Sequence, residues 1–221
     1  MCGRYTQTSD AKTLMKRFAV KKNSVGTSII PRYNISPSQS APVVLSHAER
    51  QLIGKSWGLR PPWATAGSEH KMINARADSA HEKPAYREPF RHRRCLVPAD
   101  GFYEWKKTPA GPKIPVRFSL KSGEPFAMAG LWEGETFTIL TTEANALVGK
   151  IHKRMPVILA PENEDLWMDP QAGLEDLLSI LLPFDAGSMK SKNASKDVHS
   201  PKNEGPALLE GEPDPQPELD F

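Results

Sequence analysis

The chain opens Met1-Cys2-Gly3-Arg4. Methionine aminopeptidases remove an initiator methionine when the next side chain is small, and cysteine is small. A chain begun at Cys2 would carry two nucleophiles on neighbouring carbons, an α-amine and a thiol. An α-amine has a pKa of about 7.7–8.0, against about 10.4 for lysine, so roughly a tenth of it is unprotonated near neutrality. Such an amine attacks an aldehyde to give an imine. The thiol can then add to the imine carbon, and the closure of the five-membered thiazolidine gains from being intramolecular. A cysteine here can equally be an incidental small residue behind the initiator.

Other residues offer matching chemistry. Glu104 lies between Phe102, Tyr103 and Trp105. Partial desolvation there would raise its pKa and let it shuttle protons near neutrality, although the pattern also fits a surface Glu on an alternating strand. His152 has an ordinary pKa of about 6.5, suited to giving or taking a proton, and it fits a structural histidine as well. Asn74 is neutral and could orient an amine without protonating it, or stabilise a turn. Arg4 and Arg76 can hold phosphates bidentately. Arg87, Arg91, Arg93 and Arg94 form a basic run that reads as a wider phosphate footprint or as a solvated helix face. Trp63, after Pro61-Pro62, can stack on a base. Pro37 is placed to act as a wedge against bases. Trp57 reads as core, and Cys95 as a buried small hydrophobe.

Many short elements must position these groups. A helix is expected over residues 8–18, capped by Thr8 or Ser9, with Leu14, Met15 and Phe18 on one face. Residues 31–42, with prolines at 31, 37 and 42, read as a loop. Strands are expected at Val43–Ser46, Gln51–Trp57, Met72–Ala77, Cys95–Pro98, Gly101–Trp105, Pro115–Leu120, Phe126–Trp132, Thr136–Thr142 and Met155–Leu159. Helices are expected at Pro84–Arg94, with Pro84 at the first position, and near Pro161–Met168 and Leu174–Leu182. The pattern predicts one α+β domain, β-rich and barrel- or sandwich-like, with flanking helices, over residues 1–184. Residues 185–221 turn to Ser, Lys, Asn, Gly, Pro and acid, which predicts a largely disordered tail, with residues 198–209 able to dock on the domain.

Composition bounds the function. Hydrophobic residues make up 38% and charged residues 25% of the 221, ordinary for a globular chain. No run approaches the roughly 18 apolar residues of a membrane span, and the N-terminus lacks a signal-peptide core. The reading is an intracellular protein without membrane attachment, in cytoplasm or nucleoid if bacterial and in the nucleus if eukaryotic. Two cysteines without a Cys/His cluster imply free thiols and no metal. All 29 Lys and Arg lie at or before Lys202, against 20 acids, a net of +9; residues 203–221 hold six acids and no base. A basic body suits a polyanion, or is a lysine-rich solvated surface.

Five segments in order carry a resemblance. They are Cys2-Gly3-Arg4-Tyr5, the run Arg32-Tyr33-Asn34-Ile35-Ser36-Pro37, then Ile73-Asn74-Ala75-Arg76-Ala77-Asp78, Pro98 through Trp105, and Ile151-His152-Lys153-Arg154-Met155-Pro156. With the Trp57-Gly58-Leu59 turn, they resemble the SRAP (SOS response-associated peptidase) family, most strongly over residues 2–159. The resemblance implies a β-rich monomeric domain that covalently traps abasic sites in single-stranded DNA without a cofactor, in the DNA damage response. It implies Cys2 as the crosslinking residue, with Asn74, Glu104 and His152 around it and a self-processing activity that exposes it. It also implies DNA contacts from Arg4, Asn34, Pro37, Trp63 and Arg76. The chain departs from the family in having only Lys83 where a basic residue often follows the Asn-Ala-Arg strand. It also runs Val198 to Gly205 as if residues of a closing strand were missing. Two other functions stay open. One is a thiol hydrolase; amidotransferases of the N-terminal-nucleophile type also begin Met-Cys-Gly, but they usually carry an Asn-Gly pair absent here. The other is a non-covalent reader of modified bases.

Overall fold

The computed structural model describes residues 2–25, 29–46, 49–64, 72–109 and 111–211. In chain order the strands are β1 (Tyr5–Gln7), β2 (Lys22–Asn23), β3 (Arg32–Ile35), β4 (Ser40–Ser46), β5 (Arg50–Trp57), β6 (Asn74–Arg76) and β7 (Arg94–Ala99). They continue with β8 (Gly101–Lys106), β9 (Ile114–Leu120), β10 (Phe126–Glu133), β11 (Thr136–Glu143), β12 (Arg154–Pro156), β13 (Ile158–Leu159) and β14 (Met189–Asn193). Among the described residues four short α-helices accompany them: α1 (Ala11–Arg17), α2 (Arg87–His92), α3 (Glu164–Met168) and α4 (Leu174–Ser179). The strands form two sheets, one ordered β14-β9-β8-β1-β3 and a larger one following β12-β11-β10-β7-β4-β5-β2. In the larger sheet β11 also pairs in parallel with β5, through Thr136–Ser56 and Phe137–Trp57, so the path β5-β4-β7-β10-β11 closes on itself. The β-rich α+β domain expected from the strand pattern is what forms.

Burial explains which runs became strands. Residues 126–131 of β10 are buried without alternation, because both faces of the strand meet apolar neighbours. Gly130 is required there: a Cβ would come within 2.7 Å of the Val97 side chain and 2.8 Å of the Cys95 sulfur. One apolar cluster lies under the helices, with Leu14, Phe18, Leu96, Leu140 and Trp167. A second lies between the sheets, with Cys2, Tyr5, Trp57, Phe102, Phe118 and Phe137. Trp57 meets Tyr5 edge-on at 5.2 Å and stacks on Phe137 at 6.4 Å, so its core assignment holds, as does that of the buried Cys95.

Several expectations are corrected. Asp10, not Thr8 or Ser9, caps α1, its carboxylate accepting from the Thr13 N–H at 2.7 Å; the Thr8 hydroxyl is engaged with Asp100 instead. The stretch 31–42 is not a loop throughout, since it holds β3 and the start of β4. Pro42 is tolerated in β4 opposite Gly54, where only β5 pairs with that strand. The helix expected from Pro84 is confined to Arg87–His92, and Arg94 leaves it to open β7. The Arg94 guanidinium donates to the carbonyls of Phe90, Arg91, Trp167 and Asp169. It thus satisfies orphan carbonyls at the end of α2 and cannot serve as surface charge. Arg93 pairs with Glu133 at 2.7 Å, which leaves Arg87 and Arg91 as the exposed part of the basic run.

The largest correction concerns the tail. Residues 185–211 are built into the domain, while residues 212–221 lie outside the described residues. β14 adds to the edge of β9, with Met189 opposite Leu120 and Asn193 opposite Val116. Val198, Ala194 and Leu208 are buried against Tyr103. A polar segment folds here because it borrows a sheet edge and needs only a few apolar anchors of its own.

Candidate active site

The first sheet aligns the site. β1 runs antiparallel to β8 with Tyr5 opposite Phe102, and the Tyr103 N–H donates to the Arg4 carbonyl at 2.9 Å. Continuing that register by two residues brings Glu104 alongside Gly3, next to Cys2. β3 pairs with β1 through Ile35 and Tyr5, so Pro37 lies at the same end of the sheet. From the other sheet, β6 runs parallel to β11 with Asn74 opposite Ile139. The Asn74 side-chain N–H donates to the Cys2 carbonyl at 2.7 Å. The Cys2 thiol lies 3.8 Å from the Arg4 carbonyl. His152 follows a single helical turn at Val148–Lys150 and precedes β12. Its Nδ1 lies 3.1 Å from both the N–H and the carbonyl oxygen of Arg154.

The four residues expected to act together are brought together from four separate elements, with Asn74 and His152 half-buried. Cys2 is fully buried and Glu104 nearly so. Burial, with the Glu104 carboxylate as the next cause, pushes the Cys2 thiol up to about 12. Burial also raises Glu104 above the usual carboxylate range, opposed by positive charge that includes His152. A thiol that stays protonated beside a carboxylate with raised proton affinity is arranged for proton exchange between the two.

Around this pocket the surface is wet. Trp63 is 62% exposed. Together with Asn74, Arg76, Lys83, Pro84 and Tyr86 it lines an open groove of about 410 Å³. The Tyr86 hydroxyl donates to the Asn74 carbonyl at 3.4 Å. Arg76 is exposed and forked onto Asp78, at 3.0 Å from Nε and 2.6 Å from Nη2. Tyr86 and Asp78 were not singled out in the sequence; Tyr86 is 12 residues from its partner, and no local pattern marks that contact.

Two expected DNA contacts are placed differently. Asn34 is fully buried, and its carboxamide donates to the carbonyls of Ser200 and Asn203 at 2.9 Å each, so it anchors the C-terminal segment and does not face a ligand. Arg4 is half-buried; it donates to Asn34 and to the Val198 carbonyl, each at 2.7 Å, and lies 5.9 Å from the Trp105 ring centroid. Among the described residues no group of three or more His, Cys, Asp or Glu side chains gathers as metal ligands. No helix among them is long and apolar enough to cross a membrane.

A β-rich two-sheet domain with the chain's first cysteine set among an asparagine, a glutamate and a histidine defines a class of protein. The SOS response associated peptidase (SRAP) family matches residues 1–201, and this chain belongs to that family. It is 42% identical to the abasic site processing protein YoqW of Bacillus subtilis (strain 168), over 95% of this chain and 99% of that one. It is also 42% identical to YoaM, an abasic site processing protein of the same organism, over 96% and 99% of the two chains. A crystal structure of a protein from Bacteroides thetaiotaomicron superposes with a TM-score of 0.84 at 30% identity, covering 94% of this chain and 98% of the other.

Proposed function

We propose that this chain captures abasic sites in single-stranded DNA by forming a thiazolidine with Cys2 once Met1 has been removed. The observation that carries the reading is the Asn74 carboxamide fixed on the Cys2 carbonyl within a buried pocket that also holds Glu104. The names of the similar Bacillus proteins, which refer to abasic site processing, support the substrate.

Glu104 gives a proton to the ring oxygen of the abasic sugar and takes one from the C1′ hydroxyl as the closed hemiacetal opens to the aldehyde. The Cys2 amine, oriented by Asn74, attacks C1′ and water leaves, giving an imine. The Cys2 sulfur then bonds to C1′, and the thiol proton ends on the nitrogen, relayed by Glu104 or His152. Arg76 holds a flanking phosphate, while Trp63 and Pro37 support neighbouring bases; Arg4 serves to fix the C-terminal segment through the Val198 carbonyl. The reacted sugar is thereby shielded from strand cleavage.

Burial, which favours the protonated form of the Cys2 thiol, favours this reading over a thiol hydrolase, because a hydrolase needs the thiolate as its first nucleophile whereas here the amine attacks first. Removal of Met1, by an aminopeptidase or by the chain's own activity, supplies the free amine. The test is an oligonucleotide with one abasic site, mixed with purified protein and run on a denaturing gel. A crosslinked band is expected, absent for Cys2→Ala and for a chain with an uncleavable residue ahead of Cys2. Full crosslinking by the extended chain would overturn the amine mechanism.

A further inference from the structure

Beside the site, and taking no part in the chemistry, two cations and two anions meet. Arg76, at the end of β6, is two residues from Asn74 and lines the groove beneath Trp63. Arg154 opens β12, its guanidinium anchored on the Thr141 hydroxyl and carbonyl. The two guanidiniums are near enough to repel each other, and Glu143 attracts both. Asp78 sits in the turn after β6, forked onto Arg76 and attracted also by Arg154. Both members of the Arg76–Asp78 pair are more than half exposed, at 63% and 54%. The hydrogen bond from Arg76 holds Asp78 far below the usual carboxylate range, at about 2, so it stays anionic.

We propose that Asp78 is an internal stand-in for a DNA phosphate: it occupies the fork of Arg76 in the free protein and must be displaced when a strand binds. A carboxylate presents two oxygens to a guanidinium fork with the geometry that a phosphate offers. The same nitrogens cannot serve both. Every strand entering the groove therefore exchanges one ion pair for another, and the net gain at this position is small. Asp78 thus lowers affinity for DNA of any sequence, and with it the occupancy on undamaged strands, where no covalent bond follows.

This inference rests on the DNA-binding part of the proposed function and not on its covalent step. The experiment is fluorescence anisotropy with a labelled single-stranded oligonucleotide that contains no abasic site, over 50–200 mM salt. Freeing one fork adds one phosphate contact, which steepens the log–log salt dependence by about 0.7 for a single strand. Asp78→Asn is expected to bind more tightly at the low-salt end and to lose about two- to threefold more affinity than wild type across that range. Asp78→Glu, which keeps the carboxylate, is expected to remain close to wild type. Unchanged or weaker binding by Asp78→Asn would overturn the proposal, because Asp78 would then merely orient Arg76. Absence of binding by the wild type at low salt would overturn it as well. Intact binding without any crosslink to abasic DNA would overturn the covalent reading and leave this one standing.

Discussion

The pocket around Cys2 and the groove beneath Trp63 share a residue, Asn74, yet they are opposite environments. On one side the Asn74 carboxamide holds the carbonyl of Cys2, whose side chain is fully buried. On the other Asn74 lines an open groove with an exposed Trp63 and with Arg76, which is paired to the exposed Asp78. In the dry pocket, proton affinities move because charged forms lose their solvation. On the wet side, charges keep their solvation and their contribution is screened by salt. The proposed chemistry and the proposed capture thus rest on different physics a few residues apart, and each can be perturbed without the other.

The sharpest way to break that contrast is to test the dryness of the pocket. In the chain that retains Met1, the Cys2 thiol should react with iodoacetamide at least about a thousandfold more slowly than a free cysteine, with the rate still rising past pH 10. Mass-spectrometric time courses measure this; reaction at the free-cysteine rate would show an open pocket. Next in size, Glu104→Gln should slow crosslinking to abasic DNA by about a hundredfold, with little change in affinity for undamaged DNA. Because burial raises Glu104 in the folded chain, its carboxylate opposes folding at neutral pH, and this penalty fades as pH falls through the raised pKa. Glu104→Gln should therefore raise the melting temperature at pH 8 and lose that gain at pH 4.

The wet side should respond on a smaller scale. Trp63→Ala should weaken single-strand binding by about tenfold, the loss of one stacked base, while crosslinking at saturating protein persists. On the Asp78→Asn background, where the fork is free, Arg76→Ala should cost about threefold at moderate salt and make the salt dependence shallower by about 0.7. Anisotropy titrations measure both. An unchanged slope there would show that this guanidinium makes no phosphate contact.

Much of the strand framework was legible in the sequence, because alternating and continuous apolar runs fix strands directly. The strands predicted from residue 95 to 142 differ from the observed ones by a residue or so at their ends. Cys2, Asn74, Glu104 and His152 were legible as a set only because their motifs occur in a familiar order. Nothing local to any one of them announces the pocket, which needs β1, β6, β8 and the turn before β12 at once. What stayed hidden depends on backbone carbonyls, which carry no sequence signature. Asn34 looked like a ligand contact, yet it collects the carbonyls of Ser200 and Asn203. Residues 185–197 looked too polar to fold, yet β14 completes its hydrogen bonding on β9; residues 198–209, expected to be able to dock, bury Val198 and Leu208. Arg94 looked like surface charge, yet it caps the end of α2.

The place of β1 inside its sheet has a consequence for the order of events in a cell. This strand is made first but lies between β3 and β8, and its Thr6 reaches Asp100 across 94 positions of chain. Arg4 waits longer still, for a carbonyl 194 positions away. During synthesis the start of the chain is therefore out in solvent, without partners, while most of the protein has yet to be made. Were Met1 trimmed as the proposed function requires, the trimming would meet a loose end then, before Cys2 is buried. Maturation would be early, and the closing of the fold around Cys2 late.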